Sequence, residues 1–228
     1  MDAEKWHARL ASGHWFSHLP VDLQRSLLAA ARLRTLAAGQ CLFKRGDPPC
    51  GLYAVLEGAV RISAVNAQGK EAVLSLVETP YWFGEICLFD NLPRTHDALA
   101  MGPCTLLQVP QAAMLTILED HPAYWRDVAL LMSHKLRLSL INIEQMSLMP
   151  ASARLAHRLL MIAQGYGEID QARRTLQLPQ EDLAAMLGLS RQTTNSLLKA
   201  LEQQGLIGLS YGAIEVLDLR GLQQAAGL

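Results

Sequence analysis

The sequence predicts an α+β protein: an N-terminal antiparallel β-roll, then one long helix, then a small C-terminal winged helix-turn-helix. Three observations predict it. From Gly39 to about Pro110 apolar residues alternate with a period of two, punctuated by turn residues. From Pro122 to Leu148 the period lengthens to that of a helix, without a Gly or Pro break. From Gln180 to Leu201 apolar, small and polar side chains fall where two short helices crossing at a turn need them.

Residues 16–36 read as an amphipathic helical lead-in, with Pro20 near its start and Leu23, Leu27, Leu28 and Leu33 on one apolar stripe. The β region follows. Leu42-Phe43, then Leu52, Tyr53 and Val55, then Val60 and Ile62 are short alternating segments, separated by Gly46-Asp47 and Gly58. A hairpin tip at Asn66–Gly69 leads to a strand through Val73, Leu74 and Leu76, and further strands run from Ala98 to Val109. Many short strands with regular turns close into a roll or barrel of the jelly-roll, double-stranded β-helix kind.

On the long helix Ala129, Met132, Leu136, Ser139, Ile143 and Met146 are spaced alternately by three and four residues, a heptad seam. Val128, Leu131 and Leu138 form a second stripe beside it. One stripe packs on the helix's own domain, so the seam is expected to meet the same helix of a second chain in a parallel homodimer. An ordinary core helix is the alternative. Three domains are expected: the β-roll with its lead-in over residues 1–120, a dimerisation helix over 121–149 and a DNA-binding domain over 150–228.

That last domain is expected to run as a helix from Ala151 to Gln164, a turn from Gly165 to Asp170 and a strand near Arg174–Leu178. Leu183, Ala184 and Leu187 then share one face of a short helix, Gly188 makes the turn, and Ser190 is a natural N-cap for a second helix buried through Leu189, Leu197, Leu198 and Leu201. Ala184 matters because helices that cross steeply leave room for little more than a methyl. Arg191, Gln192, Asn195 and Ser196 project from the first turns, the end of the helix that meets base edges in the major groove. Leu206-Ile207 and Ile214–Val216 around Tyr211-Gly212 read as a β-wing.

Composition narrows the class. With 228 residues, half of them apolar, the chain can bury a substantial core. No apolar run approaches the roughly 20 residues of a spanning helix, and the N-terminal stretch lacks a signal-peptide core, so a cytoplasmic protein without membrane contact is expected. Cys41, Cys50, Cys87 and Cys104 form no CxxC pair and read mainly as buried thiols. A net charge of −1 does not suit a protein that coats nucleic acid; from Pro150 onward seven Lys or Arg balance seven Asp or Glu. There is no Gly-x-Ser-x-Gly elbow, no His-Glu-x-x-His, no Walker loop and no paired-acid motif, and no enzyme is expected.

The order of parts, with the Gly39, Gly46-Asp47 and Gly58 ladder of the roll and the run Leu183–Thr193, resembles the Crp/Fnr family of bacterial transcription regulators over nearly the whole chain. The resemblance implies an effector site. Phe83-Gly84-Glu85-Ile86, followed by Arg94-Thr95, looks like the phosphate-binding cassette of cyclic-nucleotide domains. Gly84 lets backbone N–H groups approach an anion, Arg94 and Thr95 are expected on a phosphate, and Glu85 is expected to accept from a ribose hydroxyl. Cyclic AMP or cyclic GMP is the implied effector, with Ser139 as a contact from the dimer helix. His96 and Asp97 depart from the small residue the family carries two positions after the arginine, and Leu140 stands where cyclic-AMP-dependent relatives have a second hydroxyl. By the same resemblance Arg191, Gln192, Asn195 and Ser196 read bases, while Ser190, Thr193 and Lys199 contact phosphates. A dimer would place two such helices about 34 Å apart on an inverted-repeat promoter site, and RNA polymerase is the implied further partner. Three alternatives stay open: a Glu85–Arg94 ion pair that binds nothing, another signal such as haem through His14, His18, Cys50 or Cys87, and a protein-interaction module with a degenerate helix-turn-helix.

Overall fold

The computed structural model describes residues 3–228. Two compact units emerge, one made of the residues up to Ala64 with Leu76–Arg137, the other of Val65–Ser75 with Leu138–Leu228. No helix among the described residues is long and apolar enough to cross a membrane.

The first unit opens with helices α1 (Ala3–Leu10), α2 (His14–Ser17) and α3 (Val21–Ala30). Strands β1 (Arg32–Leu36), β2 (Cys41–Phe43), β3 (Leu52–Glu57), β4 (Ala59–Val65), β5 (Glu71–Glu78) and β6 (Trp82–Phe83) follow, then a short helix α4 (Ile86–Asp90) and strands β7 (Asp97–Ala100) and β8 (Cys104–Val109). Helix α5 (Gln111–Asp120) leads into the long helix α6 (Tyr124–Leu148). The strands form two four-stranded sheets, ordered β1-β8-β3-β6 and β2-β7-β4-β5, and the pairings are antiparallel. This is the predicted roll.

Period two decides what each face of β3 meets. Leu52, Ala54 and Leu56 point into a core shared with Leu10, Phe16, Leu23, Leu27, Trp82, Met114, Leu118, Val128 and Leu131, so the N-terminal helices, α5 and the start of α6 cover one sheet. Trp82 stacks on Phe16 at 5.5 Å between ring centroids. Tyr53 faces the other way. Its ring lies 5.6 Å from Phe83 and 5.8 Å from Phe43, which gives the inside of the roll an aromatic floor.

The predicted lead-in helix over residues 16–36 is corrected. Helix α3 stops at Ala30, Ala31 takes extended angles (φ −74°, ψ 149°), and Arg32–Leu36 pair with β8 from Arg32 opposite Gln108 to Leu36 opposite Cys104. Leu33 therefore lies on a strand, exposed, and not on a helical stripe. Leu and Arg favour helices locally, but a partner strand some seventy positions away overrides that preference. Helices α1 and α5 were also unanticipated.

The second unit holds α7 (Ala151–Ala163), a 3-10 turn (Gly165–Gly167), β9 (Thr175–Leu176), α8 (Gln180–Leu187), α9 (Arg191–Gln203), the hairpin β10 (Ile207–Ser210) and β11 (Ala213–Val216), and α10 (Leu219–Ala225). The three strands form a small sheet ordered β10-β11-β9. The tip between β4 and β5 belongs to this unit, where Arg158 Nη1 donates to the Leu74 carbonyl oxygen at 3.3 Å and Nη2 to Asn142 Oδ1 at 2.5 Å. Helix α10, which the sequence reading missed, starts on Asp218, whose carboxylate accepts from the N–H groups of Arg220 and Gly221.

Candidate functional site

Gly84 follows β6 with φ +101°, a backbone angle that side-chain-bearing residues rarely adopt, and a Cβ there would stand 2.8 Å from both Arg94 Nη1 and the Gly51 carbonyl oxygen. The chain then makes α4 and returns through Asn91 to Arg94. Two backbone bonds seat that arginine: its N–H donates to the Asp47 carbonyl oxygen and its own carbonyl accepts from Gly46 N–H, each at 2.8 Å. The Gly46-Asp47 turn of the sequence pattern thus positions Arg94.

The Arg94 guanidinium is 4% exposed and every nitrogen is used. Nη1 donates to the Gly84 carbonyl oxygen (2.9 Å), Nη2 to the Gly51 carbonyl oxygen (2.5 Å) and to Cys50 Sγ (3.0 Å), and Nε to the same sulfur (3.3 Å). The ring of Phe43 lies 4.4 Å from its central carbon and that of Tyr53 5.7 Å, so the cation also rests on aromatic faces. Tyr53 donates its hydroxyl to Cys50 Sγ at 3.1 Å. Burial, then that hydrogen bond, pushes the Tyr53 phenol well above its ordinary range, which keeps it a neutral donor.

Glu85 is 2% exposed, and its Oε2 accepts from Lys135 Nζ of α6 at 2.6 Å. Lys135 Nζ also lies 5.1 Å from the centre of the Tyr81 ring. The alternative in which Glu85 pairs with Arg94 is therefore corrected: the carboxylate goes to the long helix and the guanidinium to two carbonyls and a thiol. Lys135, Cys50, Phe43 and Tyr53 were all missed as members of the site. No local signal could join Glu85 to a lysine fifty positions on.

The structure gathers Gly84, Glu85 and Arg94. Thr95 is on the same loop but exposed, with His96 Nδ1 2.9 Å from its hydroxyl oxygen. Burial, with the nearby Arg45 charge second, lowers the His96 pKa, so the ring is neutral at neutral pH. Asp97 accepts from the Arg45 N–H at 2.7 Å and is the first residue of β7. Ser139 is on α6, exposed, in the second unit. Of the four thiols, Cys87 and Cys104 are buried as expected, whereas Cys41 and Cys50 are half-buried. Burial pushes Cys41 and Cys87 up and Cys104 to about 11, so these three stay protonated. His14 and His18 are exposed at α2, where the His18 ring is bonded to the His14 carbonyl oxygen (2.7 Å).

On α6, Val128 and Leu131 are buried as the inner stripe, and Ala129 and Met132 are half-buried. Leu136, Leu140, Ile143 and Met146 form an exposed apolar line, at 58%, 58%, 60% and 55%.

The helix-turn-helix lies as the spacing predicts. Leu183, Ala184 and Leu187 of α8 and Thr194, Leu198 and Leu201 of α9 are buried, and Leu189 and Leu197 half-buried. Gly188 turns at φ +64° with open space where a Cβ would stand, so backbone angle alone selects glycine there. Ser190 caps α9 by accepting from Thr193 N–H at 3.0 Å, worth about 1 kcal/mol. Arg191, Gln192, Thr193, Ser196 and Lys199 are exposed. Asn195 is half-buried and donates to Gln180 Oε1 at 3.2 Å, which ties it to α8. The wing is held to α9 by Leu209 N–H donating to Glu202 Oε1 at 3.0 Å, and Tyr211 at its tip is fully exposed.

A two-sheet roll with a glycine-arginine cassette and a long helix, together with a winged helix-turn-helix, defines a DNA-binding transcription regulator, and comparison with known proteins agrees. A family model of the cyclic nucleotide-binding domain matches residues 33–121, and one of the Crp-like helix-turn-helix domain matches residues 153–225. The chain is 30% identical over 214 residues to the cyclic AMP receptor protein of Thermus thermophilus, covering 93% of this chain and 95% of that one. It is 28% identical over 190 residues to a CRP-like cAMP-activated global transcriptional regulator of Mycobacterium tuberculosis, covering 82% and 85%. The crystal structure of a Crp/Fnr-family transcriptional regulator from Thermus thermophilus superposes with a TM-score of 0.68 at 28% identity, covering 86% of this chain and 99% of that one. The chain belongs to the Crp/Fnr family of transcription regulators, and its relatives are regulators, not enzymes.

Proposed function

We propose that this regulator is a cytoplasmic homodimer that reads an inverted-repeat promoter site, and that a small anionic effector held on Arg94 controls it. The observation that carries the effector is the Arg94 cation, nine-tenths buried, with no carboxylate among its partners in the described residues. A buried charge ordinarily has a counter-charge, and carbonyls and a thiol supply none. A cyclic phosphate would, with Gly84 giving room for its approach and Thr95 adding a hydroxyl. Glu85 would share its carboxylate between Lys135 and a ribose hydroxyl.

The exposed line Leu136, Leu140, Ile143 and Met146 supports dimerisation with Met132 and Ser139 along the same seam. Each of these large side chains contributes about 1.5–3 kcal/mol when fully buried, and more than half of each is open to water. Domain limits of 1–120, 121–149 and 150–228 follow from this division of roles. Arg191, Gln192, Asn195 and Ser196 read base edges, and Ser190, Thr193 and Lys199 hold phosphates; RNA polymerase is the partner of an activator of this kind. Effector binding works by favouring one of two arrangements of the DNA-reading units, with Ser139 as the coupling point.

One observation favours a second reading, regulation without a nucleotide: Arg94 and Glu85 are both already satisfied by the chain itself. Calorimetric titration with cyclic AMP and cyclic GMP, beside fluorescence anisotropy on a selected promoter fragment, separates the two. Heat that disappears in Arg94→Gln, with tighter DNA binding in the presence of nucleotide, is the expected result. No heat with either nucleotide and unaltered DNA affinity would favour the second reading.

A further inference from the structure

Arginine grips a phosphate through a flat edge that presents two parallel N–H bonds, and one such edge runs from Nε to a terminal nitrogen. In this chain that edge is already taken. Cys50 Sγ lies 3.3 Å from Nε and 3.0 Å from Nη2, and the Tyr53 hydroxyl donates to the same sulfur from 3.1 Å. Of the three remaining N–H groups, one on Nη1 goes to the Gly84 carbonyl oxygen and one on Nη2 to the Gly51 carbonyl oxygen, while the Phe43 ring lies against the guanidinium. Sulfur thus sits where a bidentate anion would bind.

We infer that Cys50 is the internal ligand of Arg94 and the residue that sets which effectors can enter: an incoming anion must displace its sulfur from the Nε–Nη2 edge. The inference rests on the effector reading above and adds to it a residue and an exchange step. Thiol sulfur is a weak acceptor, whereas a phosphate oxygen makes a shorter, charge-assisted bond, so the exchange favours ligands that bring a negative charge to that edge and rejects neutral ones.

The surroundings say what moves. Gln108 Nε2 donates to the Cys50 carbonyl oxygen at 2.7 Å, and Arg94 is held through its backbone to Gly46 and Asp47, so both main chains are fixed. Cys50 is half-buried while Arg94 is buried. Rotation of the cysteine side chain about its Cα–Cβ bond is therefore the least costly way to free the edge, and it also releases the Tyr53 hydroxyl for the ligand.

The test uses the full chain. Cys50→Ala removes the internal ligand and leaves the cassette intact, and its affinity for cyclic AMP and cyclic GMP is compared with wild type by calorimetry. Affinity is expected to rise roughly two- to tenfold, the size of one lost competing hydrogen bond. In parallel, the nitrogen-15 arginine spectrum of the ligand-free protein, with the Arg94 Nε–H peak assigned by its loss in Arg94→Gln, is expected to show that peak shifted in Cys50→Ala. Equal nucleotide affinity in wild type and Cys50→Ala, with binding lost in Arg94→Gln, overturns this inference and leaves the effector reading standing. An unmoved Nε–H peak overturns it as well. Silence of wild type and Cys50→Ala toward both nucleotides, with a shifted peak, retires the effector reading and reduces Cys50 to a structural ligand, which overturns the gating role.

Discussion

The two functional regions of this regulator use polar side chains in opposite ways. In the roll, Arg94 and Glu85 are buried and each is already engaged, one by Cys50 and two carbonyls, the other by Lys135. On α9, Arg191, Gln192 and Lys199 stand in solvent, and among the described residues their side chains are spent on nothing else. The difference fits what we propose each binds. Desolvated groups that exchange an internal partner for an external one suit a small ligand, whereas groups that keep water until the duplex arrives suit a DNA groove. Disturbing those buried polar groups of the roll should therefore cost stability, and disturbing the exposed polar groups of α9 should cost affinity alone.

The largest expected effect is in the roll. Lys135→Met leaves the Glu85 carboxylate buried without its cation, and such a loss costs about 3–5 kcal/mol, read as a fall in the urea midpoint of unfolding. Adding Glu85→Gln to Lys135→Met should restore most of it. If the single variant were as stable as wild type, the pair would be a surface contact and the contrast with α9 would fail.

In the helix-turn-helix, Ala184→Leu forces a large side chain into the crossing of α8 and α9, where Ala184 is buried. Overpacking of this kind costs about 1–3 kcal/mol of stability, and DNA affinity should fall with it. By contrast, Arg191→Ala should leave the urea midpoint where it is. Its effect is confined to the selected DNA site, where one good base contact is worth about 1–3 kcal/mol, measured by anisotropy against a scrambled duplex. Comparable weakening on both duplexes would place Arg191 on phosphates and not on a base.

The smallest effect is acid sensitivity of the DNA-binding unit. His157 is buried in α7, and burial, with the Arg158 charge second, lowers its pKa. A folded-state value below the unfolded one means that the unfolded chain takes up the proton first as pH falls. The contribution of the neutral ring is thus complete above the unfolded value of about 6.5 and is lost as pH drops from there through the folded value. His157→Gln should flatten the decline of Tm between neutral and mildly acidic pH; an unchanged slope would remove His157 from that role.

The same contrast governs how much could be read from sequence. The helix-turn-helix is built from neighbours three, four and seven positions apart, so Leu183, Ala184, Gly188, Ser190 and Leu198 disclosed it, and the structure places them as read. The glycine-arginine cassette was legible in part, because Phe83-Gly84-Glu85-Ile86 and Arg94-Thr95 stand within a dozen or so residues of each other in the chain. Its partners were not. Lys135 reaches Glu85 across fifty residues and Cys50 reaches Arg94 across forty-four, and chain separation of that size leaves no periodic trace. Arg32–Leu36 failed for the same reason, since only the pairing with β8 makes it a strand. Asn195 shows the limit inside the legible region: the sequence pattern makes it a base reader, yet its amide bonds Gln180.

The most direct test of a paired, groove-reading regulator is a hydroxyl-radical footprint of the full chain on its selected promoter site. Two protected half-sites of inverted sequence, their centres about one DNA turn or roughly 34 Å apart, are predicted, with both lost together when Leu140 and Ile143 are replaced by Glu. A single protected half-site, or a footprint that survives those replacements, would contradict a dimer built on α6.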